Sequence, residues 1–173
     1  MLELILGGAR SGKSRLAQRL ASASGKRVVY IATAQALDDE MASRIARHKT
    51  DRPCEWLIVE EPIALAKAIK QHTGPEVCVL VDCLTLWLTN LLLNDASDAL
   101  ARERQALLDL LQETPDSIIM VSNETGLGVV PMGELSRRYV DEAGWLHQAL
   151  AERCDRVILT VAGLPMVLKG AAL

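Results

Sequence analysis

Residues 7–14 read Gly-Gly-Ala-Arg-Ser-Gly-Lys-Ser. They stand between an apolar run, Leu2 to Leu6, and a segment from Ser14 to Ala23 in which Leu16, Ala17 and Leu20 recur at helical spacing. A strand, a glycine-rich loop and a helix in that order leave the chain few ways to fold. Glycines let the backbone curl so that successive N–H groups converge on one anion. Lys13 brings positive charge to the β and γ phosphates of a nucleotide, Ser14 offers a hydroxyl to Mg²⁺, and the following helix aims the positive end of its dipole at the same point. With glycine at about 7% of an average chain, Gly7, Gly12, Lys13 and Ser14 coincide by accident in about one chain of this size in a hundred. The segment is therefore read as a phosphate-binding P-loop for ATP or GTP.

The remaining chain has to build a scaffold for that loop. Its 173 residues, half of them hydrophobic, suit one compact domain over 1–173. There is no Phe and aromatics reach only 3%, so Leu, Val, Ile and Ala must fill the core, which favours a buried parallel sheet under helices. Strands are expected at Arg27–Ala32, Trp56–Val59, Val77–Val81 ending at Asp82, Ser117–Val121 and Arg156–Val161, with a short edge strand at Val167–Lys169. Helices are expected from Asp38 to about Lys49, over Ile63–Lys70, from about Thr85 to Glu113 with a break near Asn94-Asp95, and over Glu134–Glu152. This β-α alternation argues for an α/β fold, a mostly parallel sheet with helices on both faces.

A formal net charge of −3 supplies no basic field of the kind that draws in nucleic acid, so none is expected as a partner. The most apolar later stretch, Leu84 to Leu93, is broken by Thr85, Thr89 and Asn90 and is far shorter than the roughly 20 residues of a membrane span. Met1 leads straight into a strand without an export leader, and a cytoplasmic protein is expected. Cys54, Cys78, Cys83 and Cys154 form no C-x-x-C pair and read as reduced, mostly buried thiols.

Several residues outside the loop are candidates for chemistry. Asp82 closes an apolar strand and is the natural acidic partner of a P-loop Mg²⁺, or else a helix N-cap. Arg44, His48, Lys49 and Arg52 are cations suited to the end of a helix. Arg44 and His48 share a face, with Met41 and Ile45 beside them. His48 is on this ground either a partly buried histidine or a neutral nucleophile flanked by phosphate-holding cations, and spacing leaves both open. Glu60 and Glu61 read as a solvated helix start ahead of Pro62, whereas Asn123 and Glu124, at a strand's carboxyl end, read as ligand contacts. His72 and His147 sit in polar helical settings without metal-ligand spacing and receive no role; Trp87 and Trp145 read as core or subunit contacts.

Taken together, Gly7 to Ser14, Tyr30-Ile31-Ala32-Thr33-Ala34, Asp38 to Met41, Arg44 to Lys49, Arg52-Pro53, Val81 to Thr85, Ser122-Asn123-Glu124-Thr125-Gly126-Leu127-Gly128-Val129-Val130-Pro131 and Gly163 to Lys169 resemble one family nearly end to end. It is the bifunctional adenosylcobinamide kinase and adenosylcobinamide-phosphate guanylyltransferase family of cobalamin biosynthesis. The resemblance implies phosphorylation of the aminopropanol hydroxyl of adenosylcobinamide, then transfer of GMP from GTP to that phosphate with release of pyrophosphate. It makes His48 the transiently guanylylated histidine. It implies nucleotide contacts at Gly7, Gly8, Ala9, Arg10, Ser11, Gly12, Lys13, Ser14, Ala32, Thr33, Ala34, Lys49, Thr50, Asp51, Arg52, Glu60 and Asp82, with Glu61 the alternative to Glu60 and Ser14 and Asp82 serving Mg²⁺. The family pattern often has a polar residue where Ala34 stands. A homotrimer with a RecA-like sheet is also implied. On the motifs alone, a monofunctional P-loop small-molecule kinase and a nucleotide switch are the competing readings.

Overall fold

The computed structural model describes residues 1–35, 53–94, 96 and 98–173. The helix expected from Asp38 to Lys49, and His48 with it, lies outside the described residues. Strands β1 (Leu2–Gly7), β2 (Arg27–Ala32), β3 (Leu57–Glu60), β4 (Val77–Asp82), β5 (Ser117–Asn123), β6 (Arg156–Val161) and β7 (Leu164–Lys169) form one sheet in the order β3-β2-β4-β5-β1-β6-β7. Every neighbouring pair is parallel except β6 and β7. The described helices are α1 (Lys13–Ala23), α2 (Leu65–His72), α3 (Leu84–Leu92), α4 (Ala99–Glu113) and α5 (Glu134–Arg153).

Alternate residues of a strand point to opposite faces, and here both faces are covered, which is why the central strands are nearly continuous apolar runs. On one face Leu4, Ile31, Val79, Val81, Ile118 and Met120 pack under α2, α3, α4 and α5. On the other, Ile5, Tyr30, Leu80, Ile119, Val121 and Ile158 meet Leu16, Ala17 and Ala21 of α1. The Phe-free core is filled as its composition required, with Trp87 fully buried and its indole N–H donating to the Ile63 carbonyl at 2.7 Å.

Three boundaries differ from expectation for local reasons. Trp56 precedes β3 rather than opening it, because its ring turns inward to stack on Tyr30 with centroids 6.4 Å apart. α2 starts at Leu65, not Ile63: Glu61 Oε1 accepts the N–H groups of Ile63 (2.9 Å) and Ala64 (2.8 Å), a carboxylate turn that holds the chain out of the helix for two residues. β7 begins at Leu164 rather than Val167 and returns antiparallel, through a two-residue turn in which Ala162 (φ 53°) and Gly163 (φ 81°) are both left-handed, the twist a tight hairpin needs. Cys78, Cys83 and Cys154 are buried and Cys54 is exposed, all four as free thiols. Among the described residues no helix is long and apolar enough to cross a membrane.

Candidate active site

The parallel strands align their carboxyl ends along one edge, and the P-loop leaves β1 in the middle of it. Gly7 sits where any side chain is forbidden: a Cβ would lie 2.4 Å from Ser11 Oγ and 2.6 Å from the Thr160 carbonyl. Gly12 caps the start of α1 at φ 95°, and a Cβ there would stand 3.1 Å from Gly163 Cα. The β6–β7 turn thus braces the loop, with the Gly163 N–H donating to the Ser11 carbonyl at 2.8 Å. Arg10 to Arg15 together with Ala162 and Gly163 line a cavity of about 550 Å³, within the size range of ligand sites. No acidic residue occupies the first turn of α1, so its dipole is free to meet an anion.

Lys13 is buried, its ammonium donating to the Gly8 carbonyl at 3.1 Å. Burial pushes its pKa below the ordinary lysine value, and the Asp82 carboxylate partly opposes this. A desolvated cation in a cradle of N–H groups gains most when a phosphate joins it. Asp82 ends β4 level with Ala32 and Val121 and is only half-buried. Tyr30, itself buried, donates its hydroxyl to Asp82 Oδ2 at 2.9 Å and so fixes the carboxylate from below. Beside it the Cys83 thiol is pushed up to about 11, first by burial and then by the Asp82 charge, and stays neutral. Ser14 and Asp82 supply oxygen donors, and among the described residues no group of three or more His, Cys, Asp or Glu gathers around a point. So sparse an oxygen set fits Mg²⁺, which keeps most of its waters and takes the rest of its ligands from phosphate.

At the end of β5 a polar group packs against α3 and α5. His147 Nε2 and Ser122 Oγ are hydrogen-bonded at 2.7 Å, both residues buried. The other ring nitrogen, Nδ1, lies 3.8 Å from Glu124 Oε2, and Glu124 Oε1 accepts the Gly126 N–H at 2.5 Å. Thr85 Oγ1 accepts the Asn123 N–H at 2.7 Å. Burial lowers the His147 pKa and Glu124 raises it less, so the imidazole is neutral near pH 7.

The sequence matches the family model for cobinamide kinase / cobinamide phosphate guanyltransferase over residues 3–168. The chain belongs to that family. It is 67% identical over 173 residues to the bifunctional adenosylcobalamin biosynthesis protein CobP of Pseudomonas aeruginosa, with all of both chains covered. It is 40% identical to CobU of Escherichia coli and 41% identical to CobU of Salmonella typhimurium, each over 182 aligned residues, 98% of this chain and all of the relative. Among solved structures, an ATPase domain aligns at TM-score 0.52 and 16% identity over 91% of this chain and 68% of that one. A Pyrococcus horikoshii OT3 protein solved as Project ID PH0250 aligns at TM-score 0.54 and 10% identity over 99% and 87%. These likenesses concern the fold alone.

The structure gathers Gly7 to Ser14, Ala32 to Ala34, Glu60 and Asp82 along the same edge. The Thr33 side chain is turned inward: its hydroxyl donates to the Cys83 carbonyl (2.6 Å) and accepts the Cys83 N–H (3.0 Å), tying β2 to β4. Of the two acids after β3, Glu61 is spent on the start of α2, while Glu60 pairs with Ala32 in register and is exposed. His48, Lys49, Thr50, Asp51 and Arg52 lie outside the described residues. Sequence reasoning missed Tyr30 as the support of Asp82 and gave His147 a polar setting that the structure replaces with a buried one. The signal for His147 was its place on the apolar stripe of α5, four residues after Ala143 and three before Leu150.

Proposed function

We propose that this enzyme phosphorylates the aminopropanol hydroxyl of adenosylcobinamide with ATP or GTP, then transfers GMP from GTP to adenosylcobinamide phosphate through guanylylated His48. The observation that carries the reading is the intact cradle, Gly7 to Ser14 with its buried Lys13 and the Tyr30-held Asp82, in a chain of this family. Lys13 and the loop N–H groups hold the β and γ phosphates, and α1 adds its dipole. Ser14 and Asp82 would hold Mg²⁺, which would supply charge neutralisation at the phosphates.

In the second reaction a neutral His48 nitrogen attacks the α-phosphorus of GTP; the N–P bond forms, the bond to the α–β bridging oxygen breaks, and pyrophosphate leaves. A phosphate oxygen of the acceptor then displaces GMP from nitrogen, giving adenosylcobinamide-GDP. Lys49, Thr50, Asp51 and Arg52 follow His48 in sequence and bring their cations and polar groups to the transferring phosphate. Glu60, which does not share the capping turn that occupies Glu61, serves as the acid that contacts the nucleotide, and the Ala32 to Ala34 backbone borders it. The enzyme works in the cytoplasm, where its nucleotides are held, as a single domain assembled into a homotrimer.

Incubation with GTP labelled at the α-phosphate tests the reading. Wild type should acquire acid-labile, alkali-stable label and His48→Ala none; an unlabelled wild type would leave a monofunctional kinase as the better account.

A further inference from the structure

We propose that Glu124 is a catalytic residue of the kinase step, its carboxylate taking the proton of the acceptor hydroxyl. The proposal rests on the kinase activity argued above.

Position is the first ground. β5 runs directly beside β1, with Asn123 level with Gly7, and the Glu124 N–H donates to the Gly7 carbonyl at 3.0 Å, so the residue is pinned to the first glycine of the P-loop. On the other side β5 runs beside β4, where Asp82 is level with Val121. Glu124 therefore stands three residues further along, about 10 Å at the rise of a strand, on the side of the sheet edge where α/β proteins bind phosphates.

Its surroundings are the second ground. Among the described residues neither Lys nor Arg pairs with Glu124; its carboxylate accepts the Gly126 N–H, and Nδ1 of the His147 ring stands 3.8 Å away. The ring is in turn fixed from behind by buried Ser122, which leaves Nδ1 facing the carboxylate. A carboxylate that pairs with no Lys or Arg of the described residues and stands beside an anion site suits this task, for kinases use such a group to orient a hydroxyl and accept its proton.

The step balances. The acceptor oxygen forms a bond to the γ-phosphorus as its O–H bond breaks, the proton passes to Glu124, and the bond to the β–γ bridging oxygen breaks with its electron pair leaving on the nucleoside diphosphate.

The two activities of one enzyme provide the test. Glu124→Gln keeps the side chain's size and its acceptor for Gly126 but cannot take up a proton. Relative to wild type it should lower kcat for phosphorylation of adenosylcobinamide roughly 10²- to 10⁴-fold, the share of a general base. Self-guanylylation with labelled GTP should stay within about twofold of wild type. Phosphorylation within about threefold of wild type overturns the proposal. So does equal loss of both reactions in a variant that unfolds at the wild-type temperature, since that marks a role in the nucleotide site the two reactions share. Should Gln unfold the chain, Glu124→Asp gives the same comparison with the carboxylate retained and withdrawn by one methylene. Wild type that guanylylates itself but phosphorylates nothing would sink the kinase reading, and this proposal with it.

Discussion

Gly7 is confined on two sides at once, by the Ser11 side chain and by the Thr160 backbone, and only the first of these can move. Gly7→Ala should therefore cost about 1–3 kcal/mol of overpacking and lower the thermal midpoint by roughly 2–4 °C per kcal/mol, read by calorimetry. Nucleotide affinity should fall with it. Lys13 contributes nothing comparable to stability, because its burial already opposes its charge. Its loss should appear in binding: Lys13→Ala is expected to weaken nucleotide affinity by roughly 10- to 100-fold, the worth of a charged hydrogen bond. Both reactions should suffer alike, and guanylyl transfer at full rate would contradict a shared phosphate cradle. Tyr30 acts through Asp82. Tyr30→Phe leaves the ring against Trp56 and removes the donor at Oδ2, so the fold should hold while the Mg²⁺ concentration for half-maximal nucleotide binding rises roughly tenfold. Titration calorimetry at several Mg²⁺ concentrations measures it, and an unchanged requirement would show that the hydroxyl is merely satisfied.

At the scale of elements, the sequence was clearest where burial is simplest. β1, β2, β4 and β6 lie inside the sheet, so their apolar runs stand out against polar turns. β3 and α2 were blurred because the residues between them take their geometry from a contact, the Glu61 turn, and because Trp56 turns into the core. β7 was shortened because its exposed apolar residues imitate a loop in solvent, and its turn lacks the Asn-Gly signal. The P-loop and Asp82 were legible because their chemistry fixes their spacing. Glu124 was legible from its place at a strand end, but its company with His147 was not, because the ring comes from 25 residues beyond Ser122. That burial has a consequence in pH. The folded state keeps His147 neutral below its ordinary pKa near 6.5, while the unfolded chain takes up the proton there. Protons thus favour the unfolded state, and stability falls as pH drops from 6.5 towards the lowered folded value. Denaturant unfolding at pH 7.5 and 5.5 should show wild type losing more stability over the interval than His147→Gln, whose amide can still reach Ser122; equal losses would show that the ring is accessible to protons in the fold.

For the molecule as a whole, the layered sheet leaves apolar surface uncovered at two places. The segment after β5 exposes Val129 and Met132 at 97% each, with Leu127 and Val130 beside them. On β7 the alternation that sends Val167 towards the core turns Leu164, Met166 and Leu168 outward together. Soluble chains rarely leave contiguous apolar residues bare unless a partner covers them, and an apolar edge strand invites pairing. The homotrimer proposed for this enzyme would cover such surface with further copies of the chain. Light scattering on the purified protein should then give three times the chain mass of 18.8 kDa. Charging one patch at a time, with Val129→Asp and Met132→Lys in the first variant and Leu164→Lys and Met166→Lys in the second, should release a lighter species from at least one of the two. The buried strands that hold the cradle are untouched by either change, so the thermal midpoint reports whether the fold has survived. A wild-type protein of one chain mass would remove the trimer from the proposal, and a trimer that persists in both variants would show that its contacts lie on other surfaces.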